Sequence, residues 1–139
     1  MSTSLIVITH GEFGAYLLEA AEMIAGVQPE GVDFISITPR SPVDKARERL
    51  AASLERFAPS GGVIIFTDML GGTPTNIAFP QAQKSPAIAV ISGVNLNMLL
   101  AAFSYRGRLE FDALVHKVLE DGKKSVCDVK ALFNAAKRG

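Results

Sequence analysis

The sequence predicts an α/β fold built on a parallel sheet, and three observations carry that expectation. Short apolar runs rich in β-branched residues recur along the chain, at Leu5–Ile8, Val32–Ile37, Val63–Phe66 and Ala87–Ile91. Between them lie segments whose apolar residues return every three or four positions, so strands alternate with helices as crossover units require. The first, third and fourth runs are apolar throughout, as in strands covered on both faces. The expected arrangement is an open, doubly wound sheet in the order 2-1-3-4 with right-handed crossovers.

The first strand covers about residues 4–9 and stops at His10-Gly11, where glycine permits a sharp turn. Phe13, Leu17, Ala20 and Ile24 then mark a helix over about 13–25, with Gly26 as its stop. Val32, Phe34, Ile35 and Ile37 form the second strand, ending before Pro39. Ser41-Pro42 reads as a helix start, with the serine as cap. Val43, Ala46, Leu50, Leu54 and Phe57 continue it as an amphipathic helix, ended by Pro59 and Gly61-Gly62. Val63–Thr67 is the third strand.

Asp68-Met69-Leu70-Gly71-Gly72-Thr73-Pro74 follows, with Thr73 read as the cap and Pro74 as the first residue of the next helix. Pro80 is expected to kink or shorten that helix, because it removes a hydrogen bond and crowds the preceding turn. Ala87–Ile91 is the fourth strand, and Asn95 caps a helix carrying Leu96, Leu99, Leu100 and Phe103. Arg106-Gly107-Arg108 reads as a solvated break. Phe111, Leu114, Val115, Val118 and Leu119 mark another helix, stopped near Gly122. Ser125–Val129 reads as a short strand and Lys130–Lys137 as a final helix.

At 139 residues the chain is expected to form one domain over 1–139. A domain of this size buries roughly 68% of its unfolded surface, enough for a core without disulfides or metal. Fourteen basic residues balance fourteen acidic ones, which gives no general attraction to nucleic acid or anionic membrane. The single cysteine, Cys127, excludes an internal disulfide framework and fits a reducing compartment. The start of the chain has no basic leader, and its apolar run is too short for a signal peptide or a span, so a cytoplasmic location is expected.

In the order 2-1-3-4, strands 1 and 3 are neighbours about 4.8 Å apart, which brings His10 and Asp68 together at the switch-point crevice. A carboxylate there can accept the N–H of one imidazole nitrogen and leave the other free as a nucleophile. Gly71 and Gly72 let the backbone approach a ligand closely, and the helix start at Thr73 points amides at an anion. Such contacts suit a transient phosphoryl group rather than a whole nucleotide, so no cofactor and no metal are expected. His116 lies off its apolar stripe and reads as solvated; Cys127 has no neighbouring base and reads as inert.

Three blocks, Thr9-His10-Gly11, Asp68 to Asn76, and Gly93-Val94-Asn95-Leu96-Asn97-Met98-Leu99, resemble the enzyme IIA component of mannose-type sugar phosphotransferase systems. The resemblance runs from residue 4 to about 122. It implies that His10 accepts a phosphoryl group from the phosphocarrier HPr and passes it to a IIB protein, expected on a separate chain, with a membrane IIC/IID permease further downstream. It implies Asp68 as the orienting partner and Gly71, Gly72 and Thr73 as phosphate contacts. It also implies a homodimer in which an antiparallel strand is exchanged, for which Ser125–Val129 is the candidate. Met69-Leu70 stand where some members carry tryptophan, Thr73 where some carry serine, and Asn97 where proline is frequent.

Other activities fit less well. A receiver domain needs acidic metal ligands where Thr9-His10 stand, a flavin carrier needs a hydroxyl-rich first loop, and a serine hydrolase needs G-x-S-x-G. A regulatory protein that uses the same phosphohistidine to report sugar or energy status is the alternative the sequence leaves open.

Overall fold

The computed structural model describes residues 2–138; Met1 and Gly139, the ends of the expected 1–139 domain, lie outside the described residues. Its elements are β1 (Ser4–His10), α1 (Phe13–Ala25), β2 (Val32–Ile37), α2 (Val43–Phe57), β3 (Val63–Thr67), α3 (Thr73–Lys84), β4 (Ile88–Ile91), α4 (Leu96–Tyr105), α5 (Phe111–Lys124) and α6 (Val129–Arg138). The four strands are parallel in the order β2-β1-β3-β4.

Alternation along β1 divides the core. Leu5 and Val7 face α1, α4 and α5, packing with Leu18, Leu99, Phe103, Leu114 and Val118. Ile6 and Ile8 face α2 and α3, packing with Leu50, Phe57 and Ile77. Burial of such a side chain contributes about 1.5–3 kcal/mol, and all four from Leu5 to Ile8 are completely buried. The strand that carries His10 is therefore firmly anchored, as is β3, where Ile64, Ile65, Phe66 and Thr67 are also completely buried.

Several local expectations are corrected. His10 is the last residue of β1 rather than the first beyond it, level with Ile37 of β2. Ser41 does not cap α2; it pairs with Thr38 in a bridge, its N–H bonding the Thr38 hydroxyl at 3.0 Å. Pro80 does not shorten α3, which runs on to Lys84. Pro80 and Asn76, whose carbonyl loses its helical donor, are both exposed residues, so solvent absorbs the loss. Gly122 does not stop α5 but lets it lie against α4, since a Cβ there would meet Met98 Cγ at 2.5 Å.

Ser125–Val129 is not a strand. The Ser125 hydroxyl bonds the Gly122 carbonyl at 2.6 Å, and Asp128 Oδ1 accepts the Ala131 N–H at 3.1 Å, so these residues close α5 and open α6. Arg106 is buried rather than solvated. Its guanidinium donates to the Thr3 carbonyl (2.9 Å), Gln28 Oε1 (3.0 Å) and the Glu30 carbonyl (3.0 Å), tying the entry to β1 to the α1–β2 connection.

At the outer edge of the sheet, Asp33 on β2 accepts hydrogen bonds from Ser53 Oγ (2.5 Å), Arg56 (3.0 Å) and the Phe34 N–H (2.8 Å). Burial pushes its carboxyl upward, but these donors outweigh it and hold the pKa below the ordinary 3.8. A group with a lowered folded pKa stabilises fully above its unfolded value, and that contribution fades as pH falls through the folded one. Asp33→Asn is expected to cost about 1–2 kcal/mol at pH 7. Urea midpoints should converge with those of the unmodified chain below the ordinary value of 3.8; a gap unchanged at low pH would contradict this.

Candidate functional site

β1 and β3 pair so that Ile8 lies level with Thr67, which brings His10 at the end of one strand beside Asp68 just past the other. One carboxylate oxygen, Asp68 Oδ2, accepts the His10 main-chain N–H at 2.8 Å and lies 2.7 Å from ring Nδ1. An ionised carboxylate accepts and does not donate, so the ring carries its proton on Nδ1 and leaves the lone pair on Nε2. The His10 side chain is 50% exposed whereas that of Asp68 is 11% exposed. The arrangement leaves half of the imidazole exposed and keeps most of the carboxylate buried.

Thr9 and Gly11 set the loop after β1. The Thr9 hydroxyl donates to the Gly11 carbonyl (3.1 Å) and accepts the Gly14 N–H (3.1 Å), supplying the first turn of α1 with a cap that Glu12 does not provide. Gly11 has φ +60°, a left-handed turn that costs glycine little.

The loop after β3 uses its two glycines differently. Gly71 turns at φ +86°, with open space where a side chain would stand. Gly72 has φ −94°, which any residue accepts, but a Cβ there would lie 2.9 Å from His10 Cε1 and 3.0 Å from Met69 Cγ. Gly72, not Thr73, is the cap residue of α3; Thr73 is its first residue and Pro74 its second. The amides that open α3 therefore begin next to the imidazole, and the Thr73 and Thr75 N–H groups have no acceptor within the helix. The Thr73 hydroxyl makes no hydrogen bond among the described residues. Asn95 caps α4, accepting the Met98 N–H at 3.0 Å and donating to the Gly122 carbonyl at 3.2 Å. His116 and Cys127 are exposed.

Thr9 and Thr75 carry no role that the sequence pattern alone reveals, although each hydroxyl fixes one site loop. Their common signal was a threonine within a few residues of a strand end and its glycines. The loops that carry the site expose three apolar side chains, Phe13 after β1 and Met69 (54% exposed) and Leu70 (77% exposed) after β3. The cleft between α4 and α5, lined by Asn97, Leu100, Tyr105 and Asp121, belongs to a different part of the molecule. No group of residues suited to hold a metal occurs among the described residues.

A family model described as PTS system fructose IIA component (EIIA-man) matches residues 4–119. The chain belongs to that family. This IIA component is 33% identical over 132 residues to the mannose-specific EIIAB component of Escherichia coli K12, covering 94% of its own length and 41% of that relative's. It thus spans about two-fifths of the longer protein. It is 26% identical to the sorbose-specific EIIA component of Lacticaseibacillus casei, covering 84% of this chain and 83% of that one. The crystal structure of EIIA from Streptococcus agalactiae superposes with a TM-score of 0.83 at 30% identity, over 93% of this chain and 98% of the other. The family is that of the IIA components of sugar phosphotransferase systems. Among its described residues no helix is long and apolar enough to cross a membrane.

Proposed function

We propose that this IIA component is a phosphocarrier that accepts a phosphoryl group from phospho-HPr on His10 Nε2 and hands it to a IIB partner. The observation that carries the proposal is the short contact of Nδ1 with Asp68 Oδ2, 2.7 Å, on a ring whose other nitrogen is free. The Nε2 lone pair attacks phosphorus as the bond to the donor imidazole breaks. His10 then carries positive charge while bonded to phosphorus, and the Asp68 carboxylate balances it. Gly71, Gly72 and Thr73 supply the phosphate end of the site through the α3 amides and the unengaged Thr73 hydroxyl. The half-exposed His10 and the exposed apolar side chains on the two site loops, Phe13, Met69 and Leu70, suit a protein donor and a protein acceptor. A homodimer and an indirect connection to the membrane IIC/IID permease belong to the same proposal.

Incubation with phosphoenolpyruvate, enzyme I and the source organism's own HPr is expected to add one phosphoryl group by intact mass. The label should discharge in acid, because phosphorus–nitrogen bonds are acid-labile. An acid-stable label would move the acceptor to a serine or threonine, and no gain would end the phosphocarrier reading.

Gly72→Ala probes the placement of the ring. The backbone accepts alanine, so the melting temperature is expected to change little. The Cβ would displace the imidazole from Asp68 and slow phosphoryl uptake about 10- to 100-fold, the usual scale for misplacing a reacting group by an ångström. Uptake at the unmodified rate would show that the ring tolerates displacement.

A further inference from the structure

Asp68 holds His10, yet among the described residues no other side chain holds Asp68. Its Oδ2 receives both donors from His10, and its Oδ1 is buried without a partner. The position of the carboxylate therefore rests on the main chain on either side of it, at Thr67 and Met69. One hydroxyl grips both neighbours. Thr75 Oγ1, in the first turn of α3, lies 2.7 Å from Thr67 Oγ1 and 2.6 Å from the Met69 carbonyl oxygen.

The direction of these bonds follows from the chemistry of their ends. A carbonyl only accepts, so the single hydroxyl proton of Thr75 goes to Met69. Thr67 must then be the donor to Thr75. The relay runs from Thr67, fully buried at the end of β3, through Thr75 to the Met69 carbonyl, in the second peptide after Asp68. Helix capping does not account for it, because α3 has Gly72 as its cap residue and no side-chain cap bond.

We propose that Thr75 is the positioning residue of the His10–Asp68 pair, fixing the Asp68 main chain to β3 and α3 so that Oδ2 meets ring Nδ1. The kinetic part of this inference rests on His10 being the phosphoryl acceptor; the geometric part does not. Thr75→Val keeps the shape and removes the hydroxyl, whereas Thr75→Ser keeps the hydroxyl.

The test is imidazole nitrogen NMR on the unphosphorylated chain labelled at histidine, alongside the rate of phosphoryl uptake. The two histidines, His10 and His116, are told apart by a His116→Gln control. Thr75→Val is expected to lose the Nδ1-protonated signature of His10 and to slow uptake about 10- to 100-fold, with Thr75→Ser restoring both. His10 ring signals unchanged in Thr75→Val overturn the proposal whatever the rate, and so does a Thr75→Ser chain as perturbed as Thr75→Val. Should Thr75→Val fail to fold, Thr75→Ala is read by the same criteria. A wild-type chain that takes up no phosphoryl group overturns the functional reading instead, and the ring signals still decide the role of Thr75.

Discussion

His10→Ala is expected to take up no phosphoryl group from phospho-HPr and to remain folded. The ring is half exposed and lies outside both clusters of core side chains, so its loss leaves the packing intact. The main-chain N–H of residue 10 still reaches Asp68 Oδ2, so the carboxylate keeps one of its two donors. The cost in stability is expected to be about 1 kcal/mol, that of one hydrogen bond. Intact mass after incubation with phosphoenolpyruvate, enzyme I and HPr, beside a thermal melt, checks both halves. Retained labelling on a folded His10→Ala chain would remove His10 from the reaction.

Asp68 carries the second large effect, and two substitutions there separate its two roles. In Asp68→Asn the oxygen must face His10, because both groups that meet Oδ2 are N–H donors. The amide NH₂ then occupies the Oδ1 position, which is buried and where the carboxylate oxygen has no hydrogen-bond partner. The tautomer survives, the negative charge does not, and uptake is expected to slow about tenfold, the difference between a charged and a neutral hydrogen bond. The buried NH₂ should also cost about 1–3 kcal/mol of stability. Asp68→Ala removes orientation and tautomer control together, and the expected loss is about 10²- to 10⁴-fold, as when a catalytic imidazole loses its carboxylate. Rates from single-turnover uptake check the order. If both variants transfer at the unmodified rate, Asp68 has no part in the mechanism.

The sheet and the central pair were legible because each depends on short-range signals. Apolar runs such as Leu5–Ile8 and Val63–Phe66 announce strands covered on both faces, and the residues that end them, His10 and Asp68, follow from strand order alone. What escaped depended on partners distant in sequence or on competition between local forces. Arg106 is buried by acceptors at Thr3, Gln28 and Glu30, about 75 to 100 positions away, and nothing in Arg-Gly-Arg announces them. Ser125–Val129 has the composition of a strand, but Asp128 offers its carboxylate to α6 and the capping interaction prevails. Gly72 reads as a turn residue, whereas its decisive property is the ring that leaves no room for a Cβ.

The division of labour within the Asp68–Gly72 loop has a consequence for how the protein can change over generations. The main chain of the loop is held by hydroxyls and by the strand, while the Leu70 side chain projects into solvent. Chemistry and address are thus written in different atoms. In the proposed phosphocarrier, substitutions at the exposed Leu70 would alter the surface offered to a partner without moving the carboxylate beside the ring. A lineage can drift toward new partners through single conservative steps, each leaving the reaction intact, and a hybrid carrying another member's side chain at this position should inherit that member's preferences along with its own unaltered turnover.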